Sequence, residues 1–338
     1  MSQYSALYFN DGDLFLQVGD ELLRVHSALL KSCSSKLVET LMRHRGSKRE
    51  PIFVEEKPMP FKALLHIMYG HSLCSHIDPL RRSTLNIIDG LYNLAQKYQV
   101  RPRHIDGAVQ ELIKRDWPEE ITLWDRNEAE ISRLISIHDD TDDYMANQVT
   151  ADETLPEPAA VVHYVRKHFQ PSSEVPFFVF TALYHITRLP PTADPSDPAM
   201  DPEWTKTNGR TVNHALLTKQ DYKLVLIAID GLRTLISDIA LVEFKQYAEA
   251  APAPPGEKGL LLRWWINFGI AILLGADRRD PFQDLRELAE AIESPGSFGL
   301  GGVSGQYRQH MSSWVRKRRL ELWNSLPSYF NDWQFFPA

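Results

Sequence analysis

The chain has 338 residues, 37 Lys and Arg against 44 Asp and Glu, a net charge of −7 and 43% hydrophobic residues. That length supports two ordinary domains, because single cores rarely grow past ~250–300 residues, and the acidic balance argues against a chain-wide nucleic-acid-binding surface. Cys33 and Cys74 are the two cysteines, too few for a disulfide framework or a four-cysteine zinc site.

Met1–Asp13 lacks the basic-then-apolar layout of a signal peptide. The best membrane candidate, Trp264–Gly275, contains Asn267 and falls well short of the ~20 residues a span needs. The expectation is a reduced, intracellular protein, cytoplasmic or nuclear, with no membrane contact and no direct nucleic-acid contact.

In chain order, Leu14–Val18 and Glu21–Val25 flank Gly19-Asp20, a hairpin signal because glycine accepts the positive φ of a primed turn. A two-residue loop pairs Val18 with Glu21, so Leu16 faces Leu23 and Leu14 faces Val25. Phe15, Gln17, Leu22 and Arg24 fall on the other face. Leu37, Val38, Leu41 and Met42 then take up helical spacing behind Ser34 and Ser35, either of which can cap. Ile52–Val54 reads as a third strand. Phe61, Leu64, Leu65 and Met68 form a helical stripe that stops at Gly70. Two more stripes follow, from Leu85 to Tyr98 and from Ile105 to Ile113. Hairpin, helix, strand, then helices is the order of a small α+β domain.

Residues 139–157 carry seven acids and no Lys or Arg, the composition of a solvated linker. The expected division is therefore an N-terminal domain at 1–138, an acidic linker at 139–157 and a second domain at 158–338. A Pro-rich loop at 189–213 interrupts the second domain. Its helical candidates are Ala159–Phe169, Val175–Arg188, Leu216–Phe244, Leu260–Leu274, Pro281–Ile292 and Gln306–Leu326, which makes it all-α. Leu224–Ile229 and Leu260–Trp265 are apolar nearly all round, which predicts central helices of a bundle.

The first ~120 residues resemble a BTB/POZ domain of the variety expanded in fungal proteomes. The resemblance is carried by Asp11-Gly-Asp-Leu-Phe-Leu-Gln-Val18, Leu23-Arg-Val-His26, Pro60-Phe61 leading to Tyr69-Gly70, Leu94-Ala95 with Lys97-Tyr98, and Trp117-Pro118 with Leu123-Trp-Asp125. It implies a short sheet capped by helices, with Asp13 and His26 as fold-signature residues. The second half is similar to the helical region that follows such domains, through Pro176-Phe-Phe178, Tyr184 to Arg188, Gly231-Leu232, Leu322-Trp323 and Phe330. BTB/POZ domains are interaction modules that dimerise, recruit transcriptional co-regulators or bridge substrates to cullin-type ubiquitin ligases. Two departures stand out: Ser27 follows His26 where many animal relatives carry Arg, and the paired late cysteines of some relatives are missing.

Chemistry-bearing clusters are sparse. His66, His71, Cys74 and His76 look metal-like, but zinc ligands usually pair at two-to-five-residue gaps and close with a second pair. These straddle a predicted helix end, so a polar loop with a half-buried thiol is the expectation. Gly299–Gly305 lacks the Gly-Lys-Ser/Thr ending of a phosphate loop. Arg316, Lys317, Arg318 and Arg319 span a full helical turn, so at least one stem must lie along apolar surface. Together they offer a basic patch or a solvated helix end.

The sequence therefore predicts a non-enzymatic interaction protein without cofactor or metal, its protein partners including a second copy of the chain, with a transcription-linked regulatory role in view. Contacts are expected on Phe15, Gln17 and Arg24 and on Leu29, Leu37 and Leu41. The alternative is a cullin adaptor holding its scaffold at Pro58–Tyr69 and the following helices.

Overall fold

The computed structural model describes residues 6–43, 50–77, 83–140, 158–168, 175–189, 212, 214–275, 280–294 and 299–330. Most of the acidic stretch and most of the Pro-rich loop lie outside them. The chain divides into two compact units, Met1–Pro118 with Ala129–Pro156, and Glu119–Glu128 with Glu157–Ala338.

In the first unit, β1 (Leu14–Val18) and β2 (Glu21–Val25) form the hairpin in the expected register, Leu14 opposite Val25 and Val18 opposite Glu21. Gly19 takes φ +58° while Asp20 stays negative, the sign pattern of a II′ turn. The strand β3 (Ile52–Val54) joins the other side of β1 in parallel, giving the order β2-β1-β3. Between them lie α1 (Ser27–Cys33) and α2 (Ser35–Arg43). Ser34 Oγ accepts the Leu37 N–H at 3.0 Å, so Ser34 is the residue that caps α2. The helices α3 (Pro58–Met68), α4 (Ser83–Tyr98) and α5 (Pro102–Asp116) complete the core. Their buried stripes include Phe61 and Leu65, Leu91 and Tyr98, and Val109 and Leu112.

The helix α6 (Ile121–Asp140) begins in the second unit. This differs from a division at residue 138. Trp124 lies edge-on to Tyr184 at 5.9 Å and tilted on Trp323 at 5.6 Å, so the start of α6 is core material for the C-terminal helices. Those helices are α7 (Pro158–His168), α8 (Phe177–Arg188), α9 (Lys219–Asp238), α10 (Phe244–Ala250), α11 (Pro255–Trp264), α12 (Ile270–Leu274), α13 (Pro281–Glu293), α14 (Gly305–Asn324) and the short α15 (Leu326–Tyr329). Thr218 and Asp221 form a reciprocal capping box at the start of α9, and Asp221 also pairs with Arg166 of α7.

Two π turns, Ile239–Glu243 and Trp265–Gly269, join α9 to α10 and α11 to α12. A π turn shifts the hydrogen-bond ladder by a residue. Here the Trp265 indole N–H donates to the Ala240 carbonyl at 2.8 Å, and its ring stacks on Phe244 at 3.6 Å.

The expectation of central, all-round buried helices does not hold. Leu226 is 62% and Leu260 36% exposed, while Leu224, Val225, Ala228 and Leu232 form the buried stripe of α9. A helix that is apolar on every side carries no pattern to say which side packs.

Candidate protein interface

Alternation along each strand sorts the sheet into two faces. Leu14, Leu16, Val18, Leu23, Val25, Ile52 and Val54 are buried at 5% exposure or less. The opposite face turns outward. Register places Leu22, Gln17 and Phe53 in one row across β2, β1 and β3, with Arg24 and Phe15 paired beside it. Phe53 is 63% exposed and Leu22 44%. The Arg24 guanidinium sits 4.9 Å from the Phe15 ring centroid, and its Nε donates to the Gly12 carbonyl at 2.7 Å. Such a cation–π contact is worth about 0.5–1 kcal/mol at an exposed site, so Arg24 is held flat against the sheet. The outer edge of β2 is occupied by Leu7–Phe9, whose Phe9 N–H donates to Arg24 O at 2.8 Å.

Of the residues expected at an interface, Phe15, Gln17 and Arg24 lie on this outward face, and Leu29 is half-buried on α1. Leu37 and Leu41 do not: at 0% and 4% exposure they are the packed stripe of α2, unavailable to a partner without unfolding. Phe53 went unnoticed in the sequence. Its signal was there, since the middle residue of a three-residue strand points away from both neighbours.

Asp13 and His26 organise the start of α1. Asp13 accepts both the backbone N–H of Ser27 at 2.7 Å and its hydroxyl at 2.5 Å. Partial burial resists ionisation of Asp13, but the Ser27 bonds outweigh it and hold the carboxyl below its usual range. The His26 backbone N–H donates to the Tyr69 hydroxyl at 2.7 Å, and the Tyr69 ring stacks on Phe9 at 4.7 Å. Asp13 and His26 thus fasten hairpin, helix and the end of α3 together.

The histidines near that helix end converge. His66 Nδ1 and His71 Nδ1 are 3.1 Å apart, and the His66 and His76 rings stack at 3.6 Å. Burial, followed by the neighbouring His76 and His71 and by Lys62, pushes the His66 pKa down to about 4.

The four consecutive cations near the C-terminus are not an open basic patch. Arg316 forks onto Glu293, Arg318 bonds both Glu243 and Glu321, and Lys317 lies 3.7 Å from Glu321. Arg319 is 9% exposed and forms a bidentate pair with Asp125. Charges matched one by one leave little field for an acidic partner.

Compared with known families, residues 8–113 match the BTB/POZ domain, a little under a third of the chain. The first unit thus carries a BTB/POZ domain, in general a protein–protein interaction module, and a largely helical region follows it. Neither the curated proteins nor the solved structures compared with the chain give a match.

Proposed function

We propose that this protein is a non-enzymatic interaction protein whose BTB/POZ unit associates with a second copy of the chain through the outward face of its sheet. The observation that supports this reading is Phe53, an aromatic side chain 63% exposed at the middle of β3, in line with Gln17 and the 44% exposed Leu22. Aromatic side chains in the middle of a patch are the usual anchors of association. Three strands about 5 Å apart cannot alone supply the ~800 Å² per partner of a stable contact. The sheet is therefore an anchor, and further exposed surface completes the contact.

Sedimentation velocity on the full chain over a concentration series tests this. A boundary that shifts toward twice the mass as concentration rises supports it; a constant monomer removes self-association.

A cullin adaptor would use Pro58–Tyr69 and the following helices; the side chains from Pro60 to Met68 are mostly buried, so the first of these helices offers less than the sheet does. Transcription-linked regulation is compatible with either form of recruitment. The open groove beside Tyr247 and Trp314 does not favour an enzyme, because its Arg318 is already paired with its Glu243 and Glu321.

A further inference from the structure

We infer that His66, His71 and His76 form a zinc-binding site at the corner between α3 and the short helix Leu73–Ser75, a site independent of the sheet face.

The corner is built by local backbone rules. The helix α3 ends in a Schellman motif, in which the Gly70 N–H bonds the Ile67 carbonyl and the His71 N–H bonds the His66 carbonyl, both at 2.9 Å. Gly70 supplies the left-handed φ of +71° the motif requires. In this motif the residue two past the cap folds back over the third residue from the helix end. Here both are histidines. The chain then makes one 3₁₀ turn, closed by the His76 N–H on the Leu73 carbonyl at 3.0 Å, and returns His76 to the same point. The helix end that separates the ligands in sequence is what assembles them in space.

One nitrogen from each ring lies within 4.8 Å of the others. Zinc–imidazole bonds of ~2.0–2.1 Å place two tetrahedral ligand nitrogens ~3.3–3.4 Å apart, close to the 3.1 Å between His66 and His71. The His66 and His76 planes are within 10° of parallel, so His76 must turn to share an ion; it is exposed and can do so. His66 is buried at 6% exposure, so its ring is fixed at the helix end. Three imidazoles suit zinc, with the fourth position left to water.

The surroundings hold the corner. Arg115 of α5 donates to the Cys74 carbonyl at 2.7 Å and the Ile77 carbonyl at 3.1 Å, and Ser72 bonds Glu111. The nearby Lys62 charge opposes a cation, but Lys62 is 2.5 Å from Glu21, which offsets it. The Cys74 sulfur is not part of the grouping.

The test is zinc titration of the full-length, untagged protein against a chromophoric chelator, with thermal melting alongside. Expected are one equivalent of zinc per chain and a raised melting midpoint. The double variant His71→Ala/His76→Ala, altered only at partly exposed positions, should keep the melting midpoint of the zinc-free protein. Its affinity should fall at least ~10-fold, the loss seen even for outer-shell partners. Cys74→Ser should bind as the unaltered protein does. Equal uptake by the double variant, loss of uptake in Cys74→Ser, or no uptake at all would each overturn the assignment. The last result would leave His66 and His71 as a plain hydrogen-bonded pair.

Discussion

Arg319 and Asp125, 194 residues apart in sequence, meet as a bidentate pair, with Arg319 Nη1 at 2.8 Å from Asp125 Oδ2. The Arg319 Nε donates to the Phe282 carbonyl at 2.7 Å, and Trp323 one turn on donates to the Glu119 carbonyl at 2.8 Å. The start of α6 is thereby bound into the helical unit through both ends of one α14 turn.

Removing Arg319 leaves Asp125 with the longer contact to Arg286, at 3.5 Å. Arg319→Ala should lower the unfolding free energy by about 3 kcal/mol, the low end for buried pairs, because the Asp125 side chain is 25% exposed. Arg316→Ala, whose side chain is 50% exposed, should cost under ~1 kcal/mol. Urea unfolding of both variants measures the contrast.

Two glycines should respond with opposite signs. Gly70→Ala forces an L-residue to φ +71°, and no heavy atom lies within 4 Å of the new Cβ, so the cost is backbone strain alone. That is about 1–2 kcal/mol. Gly107, inside α5, has equally open space, and Gly107→Ala should stabilise by about 0.5–1 kcal/mol through the unfolded chain. Melting midpoints that move in the same direction would contradict this account of the α3 end.

Glu293 carries a pH signature. Bonds from Arg316, then Ser312, hold its carboxyl at about 2 against an ordinary 4.5, outweighing slight burial. A folded pKa below the unfolded one adds stability that is full above the unfolded value and lost as pH falls toward the folded one. The stability gap between the unaltered protein and Glu293→Ala should therefore be widest above about pH 5 and shrink steadily toward pH 2. A gap independent of pH would remove the ion pair as its source.

The local features were legible in the sequence. Gly19-Asp20 between alternating strands set the hairpin and its register, and the stripe ending at Met68 before Gly70 set α3. The long-range features were not. Nothing near Trp124 announces that its ring will rest on Trp323, so the expected boundary at 138 joined the start of α6 to the wrong neighbours. Leu37 and Leu41 were read as surface because an amphipathic stripe does not say whether its apolar side meets the chain's own core or a partner. Spacing along the chain keeps the three histidines apart, whereas a Schellman turn shortens the path through space.

If the outward sheet face holds two copies together, static light scattering on Phe53→Asp beside the unaltered full chain will separate the two proteins by mass. Phe53 makes little use of the core, so the variant should fold with an unchanged melting midpoint. The account predicts a dimer mass for the unaltered protein and a monomer mass for the variant at the same micromolar concentration. Identical masses for the two proteins would contradict it.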